Sequence, residues 1–211
     1  TGLTTTSPTF PLTDPESNSD GAWTYTSSNA TSATVTTAGL IAPQDDAGTV
    51  TITATQAATT KFASVSTTAT LVIGLTPTVV SSTWTLPTGK TTTSQAFTPT
   101  APTSNSTGAW TFTGSPATFA TITTTGAVTL TEVAGTTTIT ATQAATTKYT
   151  ATTSEADLDI ALTPTEVTRN VAYEFDKNIT SAPFLPTTLP MSNSGGTWSY
   201  SGSPTTFATV T

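Results

Sequence analysis

An all-β fold of tandem two-layer sandwiches, about seven strands each, is what this sequence predicts, and three observations predict it. Thr fills 63 of the 211 positions, a bias toward extended backbone that leaves no stretch suited to a helix. Short runs alternate apolar and polar residues between Gly, Pro and Asn turns, the period of half-buried strands. The phrase TITATQAATTK stands at Thr51–Lys61 and returns unchanged at Thr138–Lys148, so the chain is built of repeats.

The repeat has a clear register. Trp23, Trp110 and Trp198 each follow an S-N-S triplet, at Ser17, Ser104 and Ser192, at offsets of 87 and 88 residues. Between the first two copies Phe10 aligns with Phe97, SATVTTAG (32–39) with FATITTTG (119–126), Gly48 with Gly135, and LTPT at Leu75 with LTPT at Leu162. The third copy keeps register through APFLPT (182–187), takes one extra residue before Met191 and resumes with GSPTTFATV. Three units follow: 1–74, 75–161 and 162–211. Thr1 matches Thr88, thirteen positions past Leu75, and Thr211 falls opposite Thr123, so only the middle unit is whole in this register. A sheet missing strands exposes unpaired edges and half a core. The expectation is a window cut from a longer array; the competing one is completion of the ends by strand donation from neighbouring subunits.

In the middle copy the elements read in order as follows. Thr78–Leu86 alternates loosely and ends at the Pro87-Thr88-Gly89 turn. Thr93–Thr100 is a second strand anchored by Phe97. Ala109–Thr113 places Trp110 and Phe112 on one face, and Thr111 and Thr113 on the other. Phe119–Thr123, the turn at Gly126, Ala127–Thr131 and Thr136–Thr142 come next, with Ile139 and Ala141 inward. Thr150–Ile160 closes the unit, with Ala156, Leu158 and Ile160 opposed to Glu155, Asp157 and Asp159. Seven short strands in this span describe a sandwich. In this reading the repeated phrase is a strand with a buried Ile, then a loop leading to Phe62 or Tyr149 as a plug over the core's end.

The stretch GAWTYTSSNATSATVTTAGLIAPQDDAGTVTITATQ (21–56) resembles the group-2 bacterial immunoglobulin-like domains, whose pattern is W-x-S-S-N, A-T-V, a G-x-V turn and A-G-T-x-T-I-T-A. The middle copy departs from it where S-S-N becomes G-S-P. The resemblance implies immunoglobulin-like modules in tandem arrays, as in bacterial surface adhesins and phage virion proteins, and an extracellular, cell-surface or virion-surface location.

Chemistry is sparse. There is no His, which removes the commonest general base and the Ser-His and Cys-His pairings; no Cys excludes disulfides and thiolate metal sites. The net charge is −7, and the five basic residues (Lys61, Lys90, Lys148, Arg169, Lys177) are too scattered to follow a phosphate backbone. Neither a membrane span nor a signal peptide is read. Glu155, Asp157 and Asp159 line one strand face and offer oxygen ligands of the kind Ca²⁺ takes, but their counterparts Thr68, Thr70 and Val72 repeat no such site, and the reading is a solvated edge. Asp45-Asp46 becomes Glu132-Val133, a loop tolerant of change. N-x-[ST] at Asn29, Asn105 and Asn178 offers glycosylation sites near the chance rate for so Thr-rich a chain. Trp84 on an alternating strand reads as core.

The joints VIGLTPT (72–78) and DIALTPT (159–165) lack a Gly/Ser spacer, Pro77 and Pro164 hold the preceding Thr extended, and Leu75 or Leu162 is placed to wedge between neighbours. The expectation is a non-catalytic structural module without cofactor or metal: a stiff repeated spacer of a filament, virion fibre or surface appendage, its partners being neighbouring repeats and further copies. The alternative is an adhesin segment contacting a host glycan or protein through the repeated loop TSNSTG (103–108), echoed as ESNSDG and MSNSGG. An exposed aromatic beside that loop would favour the alternative.

Overall fold

The computed structural model describes residues 2–82, 84–169 and 191–201. Asn178, Lys177 and the stretches 182–187 and 202–211 lie outside the described residues. Every element among the described residues is a β-strand. In the first copy these are β1 (Leu3–Thr4), β2 (Phe10–Pro11), β3 (Trp23–Ser27), β4 (Ala33–Val35), β5 (Leu40–Pro43), β6 (Gly48–Gln56) and β7 (Val65–Gly74). The second copy has β8 (Lys90–Thr91), β9 (Trp110–Ser115), β10 (Ala120–Ile122), β11 (Val128–Leu130), β12 (Gly135–Gln143) and β13 (Thr152–Ala161). The chain divides into two compact units, Thr1–Ala161 and Leu162–Thr211. In the second, β14 (Val167–Arg169) pairs antiparallel with β15 (Met191–Ser192).

Each of the first two copies packs one sheet on another. In the first, a sheet ordered β1-β7-β6-β3 faces one ordered β2-β5-β4, and alternation sends Tyr25, Val50, Ile52, Ala54 and Ile73 from one layer, and Ala33 and Ile41 from the other, into a shared core. In the second, the order β8-β13-β12-β9 repeats opposite β10-β11, and Phe112, Ala120, Val128, Ile139, Ala141, Leu158, Ile160 and Trp84 fill the interior. Gly39 and Gly126 turn β4 into β5 and β10 into β11 at φ of 79° and 90°, values that cost glycine little.

Three expected elements differ. Among the described residues of Thr78–Leu86, which leave out Thr83, there is no strand: the segment makes one antiparallel bridge, Val80 to Ser104, through backbone bonds of Val79 and Ser81, and side-chain bonds of Asn105 and Trp84 hold it further. Thr93–Thr100 contributes only the Phe97–Val128 bridge, the regular pairing having moved upstream to Lys90–Thr91. Phe62 and Tyr149 do not plug a core. Both are half-buried outside the two apolar clusters, with Lys61 and Lys148 over their rings at 5.2 and 5.9 Å.

Candidate functional site at the joint between repeats

The residues that chemistry-first reading singled out are held as structure. Thr136, Thr138 and Thr140 stand directly across from Asp159, Asp157 and Glu155, and their hydroxyls donate to those carboxylates at 2.7, 2.7 and 3.2 Å. The acids form a ladder of cross-strand pairs on an exposed face. Among the described residues no group of three or more acidic side chains is placed to share an ion. Asn29 accepts from Thr31 and donates to Ser32. Trp84 is 7% exposed, donates to Thr100 O at 2.8 Å and lies 5.9 Å from the Phe112 ring.

The S-N-S loops are clamps. In the second copy Ser104 Oγ donates to Gln143 Oε1 at 2.6 Å, and Gln143 Nε2 donates to Ser106 O and Gly108 O at 3.1 and 2.8 Å. The first copy repeats this with Ser17, Gln56, Ser19 and Gly21 at 2.7, 3.0 and 2.9 Å. Each glutamine is 2% exposed, so its amide has to be paired on both ends. The signal was present in the sequence: Gln56 shares parity with Val50, Ile52 and Ala54, and a residue four on from a buried one in a strand faces inward too. The central Asn of the loop holds the incoming joint. Asn105 Oδ1 accepts Val79 N–H at 2.8 Å and its amide donates to Pro77 O at 3.4 Å. Asn193 does the same for Glu166 and Pro164 at 2.9 and 3.1 Å.

The joint between the first two copies is the most densely bonded place the sequence did not resolve. Thr76 bridges Tyr149 in parallel, donating N–H to Lys148 O at 2.9 Å and accepting Thr150 N–H at 3.0 Å. Thr78 N–H donates to Thr150 Oγ1 at 3.1 Å, and its hydroxyl donates to Thr150 O. Thr5, 4% exposed, donates to Lys148 O at 2.6 Å. With that hydrogen committed, the 2.8 Å contact between Thr5 and Thr76 hydroxyls has Thr76 as donor, and Thr6 in turn donates to Thr76 at 2.9 Å. Ala47 N–H reaches Thr147 O at 3.1 Å, and Asp45 pairs with Lys148 at 2.7 Å. The Asp45 carboxylate hydrogen-bonded to it holds the Lys148 ammonium above its ordinary pKa, against a smaller opposing effect of burial. The loop read as tolerant of change therefore carries an inter-repeat ion pair. Leu75 is half-buried and joins neither core, and Leu162 is 74% exposed; hydroxyls and carbonyls, not a leucine wedge, set the joint.

No helix of the described residues is long and apolar enough to cross a membrane. No family model matches the chain, and no curated protein matches it. Solved structures similar to it include a SusE-like surface-located polysaccharide-binding protein from Bacteroides thetaiotaomicron, at 20% identity and a TM-score of 0.29 over 66% of this chain and 29% of that one. Domains 1–6 of the surface layer protein SbsC match at 17% identity and 0.31 over 70% and 21%. Drosophila N-cadherin EC1–4 matches at 13% identity and 0.27 over 76% and 46%. The chain thus spans less than half the length of each of these.

Proposed function

We propose that this chain is a structural segment, a stiff repeated spacer in an extracellular filament, virion fibre or surface appendage, with no catalytic role. The observation that carries the reading is the joint: three consecutive joint residues, Thr76 to Thr78, are threaded between residues 148 and 150 by four hydrogen bonds, where a flexible linker would make none. The clamps support it. In the first two copies the loop's Ser side chains bond within their own copy, and in the second and third its Asn holds the joint. Within 2–161 every Trp, Tyr and Phe is at least half-buried, which leaves no exposed ring there for a sugar to stack on. In the third copy Trp198 and Tyr200, beside MSNSGG, are 42% and 43% exposed, which favours the adhesin alternative for that copy. The extracellular placement rests on the resemblance to tandem surface modules.

The chain contains no Cys, so spin labels can be placed at will. With Thr26→Cys and Thr113→Cys, both exposed strand positions, pulsed electron resonance reports the distance between the first two copies. The expected result is a narrow distribution that broadens in Thr76→Gly/Pro77→Gly. A wild-type distribution as broad as the variant's would remove the stiffness on which the spacer reading depends.

A further inference from the structure

The last long strand of each of the first two copies carries the same inward residues and different outward ones. Ala69, Leu71 and Ile73 of β7 return as Ala156, Leu158 and Ile160 of β13, whereas the outward Thr68, Thr70 and Val72 become Glu155, Asp157 and Asp159. All six outward positions are exposed, Val72 to 62%. The core is kept, so the change concerns only what the outer face meets.

That face borders an open sheet edge. β8 runs beside β13 only at Ile160 and Ala161, and β1 beside β7 only at Ile73 and Gly74, so over 152–159 and 65–72 no strand flanks the far side among the described residues. The second copy shows that the opening belongs to the repeat itself: the described residues of its segment 78–86 bond to Thr100, Thr103, Asn105 and Thr150 and leave β13 alone. A long open edge invites another strand unless charge guards it. Three carboxylates guard β13, and β7 carries no charged residue.

We propose that β7 is a lateral contact between two copies of this chain, their β7 edges pairing antiparallel about a two-fold axis normal to the sheet. A second copy fits for a reason of charge. The chain carries −7 and repels itself, so a self-contact has to lie where carboxylates are absent. Between two β7 strands the outer face sets Ser, Thr and Val side chains against one another; between two β13 strands it would set carboxylate against carboxylate, which destabilises a sheet. The contact deepens the spacer reading by giving the spacer a lateral partner, and rests on that reading for its purpose alone. A monomeric chain with a narrow distance distribution between positions 26 and 113 overturns the contact and not the spacer.

Sedimentation of the full chain over rising concentration tests it. One strand pair buries less than the roughly 1,200 Å² of a stable interface, so a monomer-dimer equilibrium at high micromolar concentration is expected. Thr68→Glu/Thr70→Asp/Val72→Asp sets acids opposite Thr53, Thr51 and Thr49, as the β13 acids stand opposite Thr140, Thr138 and Thr136. This variant should melt as the parent does and dimerise at least about tenfold more weakly, since like charges face each other across the contact. Acids placed on β9 instead, Thr111→Glu/Thr113→Asp, should leave the dimer intact. Spin labels at Thr53→Cys should lie on the order of 20 Å apart between chains, from three strand spacings of about 4.8 Å and the label arms. A chain that stays monomeric, a dimer that the β7 acids spare, an equal loss from the β9 acids, or a long interchain distance each overturns the proposal.

Discussion

A glutamine in an apolar interior is stable only while both ends of its amide are satisfied. Gln143 meets that condition through Ser104, Ser106 and Gly108, and Gln143→Leu keeps the volume while orphaning those partners. Each unpaired buried group costs about 1–3 kcal/mol, and Ser106 O and Gly108 O sit in a loop that can partly turn to water. A loss of about 3 kcal/mol is expected, read as a lowered urea midpoint at unchanged slope. Tyr25 carries a different dependence. Its hydroxyl, donated to Asp14, is pushed up to about 12 from an ordinary 10.0, first by burial and then by the hydrogen bond and charge of Asp14. Below pH 10 folded and unfolded chains both keep the proton. Between pH 10 and about 12 the unfolded chain loses it first, so the unfolded state binds fewer protons and stability falls as pH rises. Tyr25→Phe removes this slope, and denaturant midpoints of the two proteins across the alkaline range check it: parallel curves would show that Tyr25 does not titrate differently on folding.

At the level of strands, the long central elements were legible and the connecting ones were not. β6 and β12 announce themselves because Ile52, Ala54, Ile139 and Ala141 alternate with threonines without interruption, and the structure buries all four. Residues 78–86 carry the same composition but begin after Pro77 and end at Pro87; proline supplies no N–H to a ladder, so the segment is pinned at Asn105 and Trp84 and pairs at one bridge. The clamp was half legible. As read from sequence, β6 and β12 end before Gln56 and Gln143, which fall in the following loop, whereas in the structure the strands include both and their parity faces them inward. Their partners lie 35 to 39 residues upstream, a separation no local pattern reports. The joint was less legible still, since threonines that bond across it look like the threonines on every open face. Gly108 shows how tightly the clamp is set. A Cβ there would lie 2.0 Å from Ala144 O, a backbone atom of a residue whose own N–H is held by Ala109 O. Gly108→Ala is expected to cost at least about 2 kcal/mol, against under about 0.5 kcal/mol for exposed Thr113→Ala; thermal melts of the two variants compare them directly, and equal melting points would show that the loop has slack.

Across residues 2–161, two cores are coupled through one joint, and the question is which of its contacts does the coupling. Asp45 and Lys148 form an ion pair at 2.7 Å, but Asp45 is 75% exposed, and such pairs contribute about 0–1 kcal/mol and weaken with salt. Thr5 is 4% exposed and stands at the end of a hydroxyl series running Thr6 to Thr76 to Thr5 to Lys148 O. Thr5→Val preserves shape, leaves Lys148 O without its shortest donor and puts a methyl against the Thr76 hydroxyl, an arrangement that costs more than an exposed charge pair returns. The interprobe distance between labels at positions 26 and 113 is therefore expected to broaden strongly in Thr5→Val and hardly at all in Asp45→Ala. High salt should reproduce the small effect and not the large one. Were Asp45→Ala or salt to loosen the joint as much as Thr5→Val, its stiffness would be electrostatic, and the first two copies would respond to ionic strength in a way that buried hydroxyls do not allow.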